Sequence, residues 1–159
     1  MDLFDQSGAI FSADRKYRYA LWRVLDASKP DMMFIGLNPS TANESENDPT
    51  IRRVMGMAYT LGYGTVYMMN LFAWVTPHPE ELKTCADPQK DNDYWLKEIG
   101  TEIAKKGMIL FAWGNFKEAV ERGKEITAMF PGAWCLVKNQ DGSPRHPLYV
   151  PKSVKPILF

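Results

Sequence analysis

The stretch "MMFIGLNPSTANESENDPTIRR", residues 32–53, joins a short apolar run to small, polar and acidic residues before a new amphipathic pattern begins. A continuous run such as MMFIG predicts a strand covered on both faces. Asp48-Pro49 then reads as a helix start: Asp48 is the N-cap, Pro49 the first helical residue, Ile51, Val54, Met55 and Ala58 the buried face, and Gly62 the stop. A strand-to-helix connector usually needs only about 2–6 residues. This one is longer, which predicts a loop with a role besides connection.

The same alternation continues downstream. A second apolar run, "TVYMMNLFAWV", is followed by a helix with Trp95, Ile99 and Ile103 on one stripe, ending near Gly107, and then by the strand "MILFAW". Asn115 can cap the next helix with Glu118 as its capping-box partner, and Phe116, Ala119, Val120 and Thr127 mark its buried side. "AWCLVK" is a fourth strand. Upstream, "GAIFSADRKYRYALWRVLD" predicts an N-terminal hairpin or edge strands, with a short helix over residues 19–25 as the alternative. Four strands separated by helices predict an α/β three-layer sandwich around a central, mostly parallel four-stranded sheet, in one domain over residues 1–159.

Composition narrows the function. The 159 residues are 45% hydrophobic and carry 19 basic and 19 acidic side chains, so the chain can bury a sizeable core and no global field attracts nucleic acid or an anionic membrane. A polyanion site must be local. Cys85 and Cys135 stand alone without a CxxC pair, which disfavours a disulfide framework, a zinc site and iron–sulfur ligation, so no metal or cofactor is expected. No segment has the length of a membrane span or the pattern of a signal peptide, and a cytoplasmic setting with no membrane partner is expected.

Polar residues that packing does not explain fall at the carboxyl ends of the strands. Asn38-Pro39-Ser40-Thr41 follows the first, Asn70 closes the second, Trp113-Gly114-Asn115 closes the third, and Arg145-His146-Pro147 comes soon after the fourth. That edge of an open parallel sheet is where ligands bind, so these elements are expected to line one crevice. Taken singly, Asn38-Pro39 is also a plain turn, and Asp48 is better read as a cap than as an acid. Arg53 falls opposite the apolar face of its helix and reads as solvated, while Arg52 on the flank can turn toward the crevice. Asn70 interrupts an apolar run, and a buried carboxamide must find partners, from the backbone or from a ligand.

"FIGLNPSTA", "NDPTIRR" and "NLF" resemble the hallmark of a bacterial and phage domain family of unknown function. More distantly, the landmarks are similar to those of the uracil-DNA glycosylase superfamily: a strand ending in Gly-x-Asp/Asn-Pro, an Asn closing the next strand, a Trp-Gly strand end and a late His-Pro loop. That resemblance implies a uracil-DNA-glycosylase-like fold in which Asn38 positions the hydrolytic water and Pro39 shapes its loop. It would have Asn70 read a pyrimidine edge and His146 stabilise negative charge on the departing base. Ser40, Thr41, Trp113 and Arg52 complete the expected lining. Asn38 stands where other members carry Asp and supplies no charge, and "HPLYVP" lacks the usual Ser-Pro, leaving Leu148 or Tyr149 at the place of a wedge. The expected partner is a nucleobase compound, either DNA or a free nucleoside or nucleotide. The alternatives are a non-catalytic nucleic-acid or nucleotide module, and a hydrolase or transferase acting on an unrelated metabolite.

Overall fold

The computed structural model describes residues 6–83 and 89–159. Its strands are β1 (Gly8–Phe11), β2 (Arg18–Val24), β3 (Asp31–Gly36), β4 (Thr65–Asn70), β5 (Met108–Phe111), β6 (Trp134–Cys135) and β7 (Ile157–Leu158). Its helices are α1 (Pro49–Leu61), α2 (Gln89–Lys106) and α3 (Ala119–Met129). The strands form one seven-stranded sheet in the order β1-β2-β4-β3-β5-β6-β7. Pairings β3/β4, β3/β5 and β5/β6 are parallel, and β1/β2, β2/β4 and β6/β7 are antiparallel. The four strands expected from the sequence, β3, β4, β5 and β6, stand side by side and parallel, and the N-terminal hairpin and β7 extend them antiparallel into a larger, mixed sheet. The N-terminal segment is a hairpin, and its β2 is an interior strand laid against β4.

Alternation along the strands sorts the core into two clusters. Met32, Phe34, Val66, Met68 and Leu110 pack against Ile51, Val54, Met57 and Ala58 of α1. Met33, Ile35, Tyr67, Met69, Ile109 and Phe111 pack on the other side against Leu96, Ile99 and Ile103 of α2 and Ala119 and Ile126 of α3. Helices therefore cover both faces. Helix α1 starts and stops where the sequence predicts. Asp48 accepts the Ile51 N–H at 2.8 Å, Pro49 occupies the first turn, and Gly62 ends the helix at φ 86°. Met57 rather than Met55 is buried on its face.

Two expectations about α3 fail. The helix begins at Ala119, four residues beyond Asn115, and no side chain caps it. Gly114 takes a left-handed φ of 80° and the chain turns once more before the helix forms, which leaves Phe116 and Val120 exposed. "AWCLVK" contributes only the two-residue β6, because the chain leaves the sheet to make the 139–146 turn. Cys135 is buried and free, and Cys85 lies outside the described residues. Among the described residues, no helix is long and apolar enough to cross a membrane.

Helices α2 and α3 also hold the end of β4. Asn92, fully buried, donates to the Asn70 carbonyl at 2.9 Å and to the Leu71 carbonyl at 3.0 Å, and Arg122 Nε donates to the same Leu71 oxygen at 3.0 Å. Arg122 is in turn paired with Asp93 and Glu125. Leaving a buried carbonyl unpaired costs about 1–3 kcal/mol. Asn92→Ala is expected to lower unfolding stability in that range, as read by urea denaturation, because it strands the Asn70 carbonyl.

Candidate functional site

Asn70 is the last residue of β4 and is 2% exposed. By alternation from Met68 its side chain projects to the α1 face, and its in-register neighbour on β3 is Gly36. The absence of a side chain there is required: a Cβ on Gly36 would lie 2.9 Å from Asn70 Oδ1 and 2.7 Å from Met68 Cε. Asn70 Nδ2 is buried and has no hydrogen-bond partner. An unmade bond of this kind is costly, and few survive in a folded core without a ligand or water to meet them.

A second buried donor without a partner lies at the same end of the sheet. Arg18 opens β2 and is 3% exposed, and its Nη1 donates to the Ala42 carbonyl at 3.1 Å. Ala42 belongs to the loop after β3, and β4 lies between β2 and β3. β2 runs antiparallel to β4 with Leu21 opposite Met68, so Arg18 stands level with the carboxyl end of β4, which closes at Asn70. Its Nε is buried without a partner. Burial lowers its pKa to about 10, with Asp48 opposing that shift and Arg23 adding to it, so it remains cationic at neutral pH.

The long loop is held from the same hairpin. Arg23 donates to Asn47 Oδ1 at 2.8 Å and to the carbonyls of Asn43 at 2.6 Å and Glu46 at 3.1 Å. Arg15 grips Glu44 in a two-bond pair of 2.7 and 2.9 Å, which draws the Glu44 pKa down to about 2. Its acidic residues are thus a cap (Asp48), a surface partner of Arg15 (Glu44) and an exposed carboxylate that accepts from Asn43 Nδ2 (Glu46).

His146 reaches the α1 face from the late loop. Its Nδ1 accepts the Leu148 N–H at 3.2 Å, so the neutral ring carries its proton on Nε2. Burial pushes its pKa down, and the Asp48 carboxylate pulls the other way. Asp48 therefore acts electrostatically on Arg18, Arg23 and His146 together. Asn38 is half-buried, and its Nδ2 donates to the carbonyls of Pro39 at 3.1 Å, Trp74 at 3.2 Å and Thr76 at 2.8 Å. Its donor half is occupied in holding the segment after β4. Pro39 is buried and its carbonyl accepts the Thr76 N–H, Ser40 is half-buried and Thr41 is exposed.

Two expected lining residues stand elsewhere. Trp113 is on the opposite face, 4.6 Å from Phe111 ring to ring, and forms the floor of a cleft of about 520 Å³ walled by Phe116, Val120, Gly123 and Phe159. Arg52 is exposed and donates to the Asn47 carbonyl at 2.9 Å, while Arg53, expected to be solvated, is half-buried and bonded to the Val150 carbonyl. Both arginines line a groove of about 550 Å³ with Tyr59, Leu148 and Lys152. Sequence reasoning missed Arg18 and Arg23. Their one signal is a basic residue at each end of an aromatic, β-prone run. Among the described residues, no cluster of His, Cys, Asp and Glu can hold a metal ion.

Substitution separates the two roles of Asp48. Asp48→Asn keeps a good N-cap but removes the charge, so the His146 pKa, followed by NMR titration, is expected to fall below its wild-type value. Asp48→Ala loses the cap as well and is expected to cost about 1 kcal/mol more. Acid sensitivity follows from the same ring. Because the folded pKa of His146 lies below that of the unfolded chain, the unfolded state binds more protons. This contribution therefore erodes stability as pH falls through the unfolded value of about 6.5 to the lowered folded one. His146→Gln should lose less stability than wild type between pH 7.5 and pH 5, measured by thermal melting.

A family model with the description "Protein of unknown function (DUF1643)" matches residues 18–148. The curated proteins and the solved structures hold no match to this chain.

Proposed function

This chain belongs to the family described as protein of unknown function DUF1643, and from its strand-end crevice we propose that it recognises a nucleobase and is equipped to hydrolyse an N-glycosidic bond. The observation that carries the reading is Asn70, a buried carboxamide with Nδ2 unpaired, its backbone held from behind by Asn92 and its side chain given room by Gly36. A carboxamide offers donor and acceptor side by side, which matches the edge of a pyrimidine. His146 supports it with a neutral ring whose Nε2–H can donate to the base oxygen where charge collects.

In this proposal the fold is uracil-DNA-glycosylase-like, and Asn38 Oδ1 orients a water. The water oxygen bonds to the anomeric carbon as the carbon–nitrogen bond breaks. The bonding pair moves into the base, His146 steadies the oxygen that takes the charge, and the water's proton goes to the departing base. Pro39, Ser40 and Thr41 form the wall beside the water.

A second reading, recognition without hydrolysis, is favoured by Asn38 itself. It carries no charge, and its amide hydrogens are shared among three carbonyls, so fixing the 74–76 segment accounts for it. Base release decides between the two, measured on single-stranded and duplex DNA carrying uracil or modified pyrimidines and on free nucleosides. Hydrolysis predicts release that drops about 10²–10³-fold in His146→Ala and falls in Asn38→Ala. Binding without release, lost in Asn70→Leu, selects the second reading. If no nucleobase compound binds, both are wrong.

A further inference from the structure

Arg18 is left unexplained by base recognition. A buried guanidinium bears a large desolvation cost, which is offset only by a close counter-charge and filled hydrogen bonds. Among the described residues, Arg18 has one side-chain bond, to the neutral Ala42 carbonyl, and no carboxylate lies within ion-pairing distance of it. The charges that act on it, Asp48 and Arg23, are opposite in sign. The contrast with its neighbours is informative. Arg15 holds Glu44 with two bonds, and Arg23 fills its donors with carbonyls and Asn47 Oδ1. Of the three, Arg18 has a buried Nε with no partner, and Nε is half of the edge with which a guanidinium grips an oxyanion in parallel bonds.

We propose that Arg18 forms an oxyanion-binding subsite at the carboxyl end of β4, taking a phosphate or carboxylate group of the ligand whose other part meets Asn70. An incoming oxyanion supplies both things the guanidinium lacks, a counter-charge and an acceptor at Nε. If the ligand is a nucleobase compound, it is an acidic one rather than a neutral nucleoside. Nε is sealed from solvent and Nη1 is bonded to Ala42, so entry requires the 42–47 segment to lift. The subsite rests on Arg18 and not on the nucleobase reading, and either can fail alone.

The test is thermal melting and titration calorimetry with inorganic phosphate, against chloride at equal ionic strength. Phosphate should raise the wild-type melting temperature in a saturable way, with at least tenfold weaker binding by Arg18→Met, which replaces the buried cation with an apolar chain of similar length. Arg18→Lys, which keeps the charge without the two-pronged edge, should bind several-fold more weakly than wild type, and this comparison stands if the Met variant does not fold. A nucleoside, its 5′-monophosphate and a carboxylated pyrimidine then distinguish the sources of the oxyanion. One of the two acids should bind at least tenfold more tightly than the nucleoside, and the preference should vanish in Arg18→Met. No phosphate response in wild type, or an equal response in both variants, overturns the proposal. A phosphate response lost in Arg18→Met with no binding of any nucleobase compound supports the subsite and ends the nucleobase reading.

Discussion

The end of β4 is where this molecule is most constrained. The carbonyls of Asn70 and of Leu71 just beyond it are taken by Asn92 and Arg122 from the α2 and α3 face, and the strand's last side chain is turned to the α1 face over a glycine. β4 also sits between β2 and β3, antiparallel to one and parallel to the other. Whatever binds at Asn70 therefore meets a backbone that cannot shift without breaking bonds on the far side of the sheet. Pre-set geometry of this kind lets a site discriminate between ligands by hydrogen bonds.

A seven-stranded sheet has two faces at its carboxyl edge, and they serve different ends here. The α1 face carries Asn70, Asp48 and His146, all polar, with Arg18 at the same end of the sheet. The other face carries the apolar cleft floored by Trp113. The polar face is the better candidate, because unpaired buried donors ask for an acceptor, whereas an open apolar cleft asks only for something hydrophobic.

Much of the scaffold was readable because local chemistry and tertiary role agree. MMFIG and the VYMM of β4 are apolar throughout because both faces are covered, and Asp48, Pro49 and Gly62 mark the ends of α1 by capping rules that need no partner. Asn70 stood out as a polar residue closing an apolar run. What escaped notice depends on neighbours remote in sequence. Arg18 and Arg23 look like surface arginines until β2 is placed inside the sheet, and no local signal says that a hairpin will be covered by residues 42–47. Trp113 was legible in principle: it lies two residues from Phe111, and strand alternation gives both the same face. Asn115 has the residue type of a cap, but the left-handed Gly114 before it leads into a further turn. Arg52 and Arg53 exchanged places because the 147–150 turn packs on α1 and gives Arg53 a carbonyl that its own helix does not.

The position of β2 has a consequence for assembly. Residues 18–24 pair with residues 65–70, far along the chain, and β3 and α1 are both made in between. Pairings with long sequence separation form late, since their loop-closure entropy must be met before any contact repays it. The hairpin can close by itself, yet Arg18 and Arg23 find the 42–47 carbonyls only after β4 has been laid beside β2. The polar crevice is then among the last features to form, and reversing that final step opens it and also withdraws Ala20 and Trp22 from the core under α2 and α3.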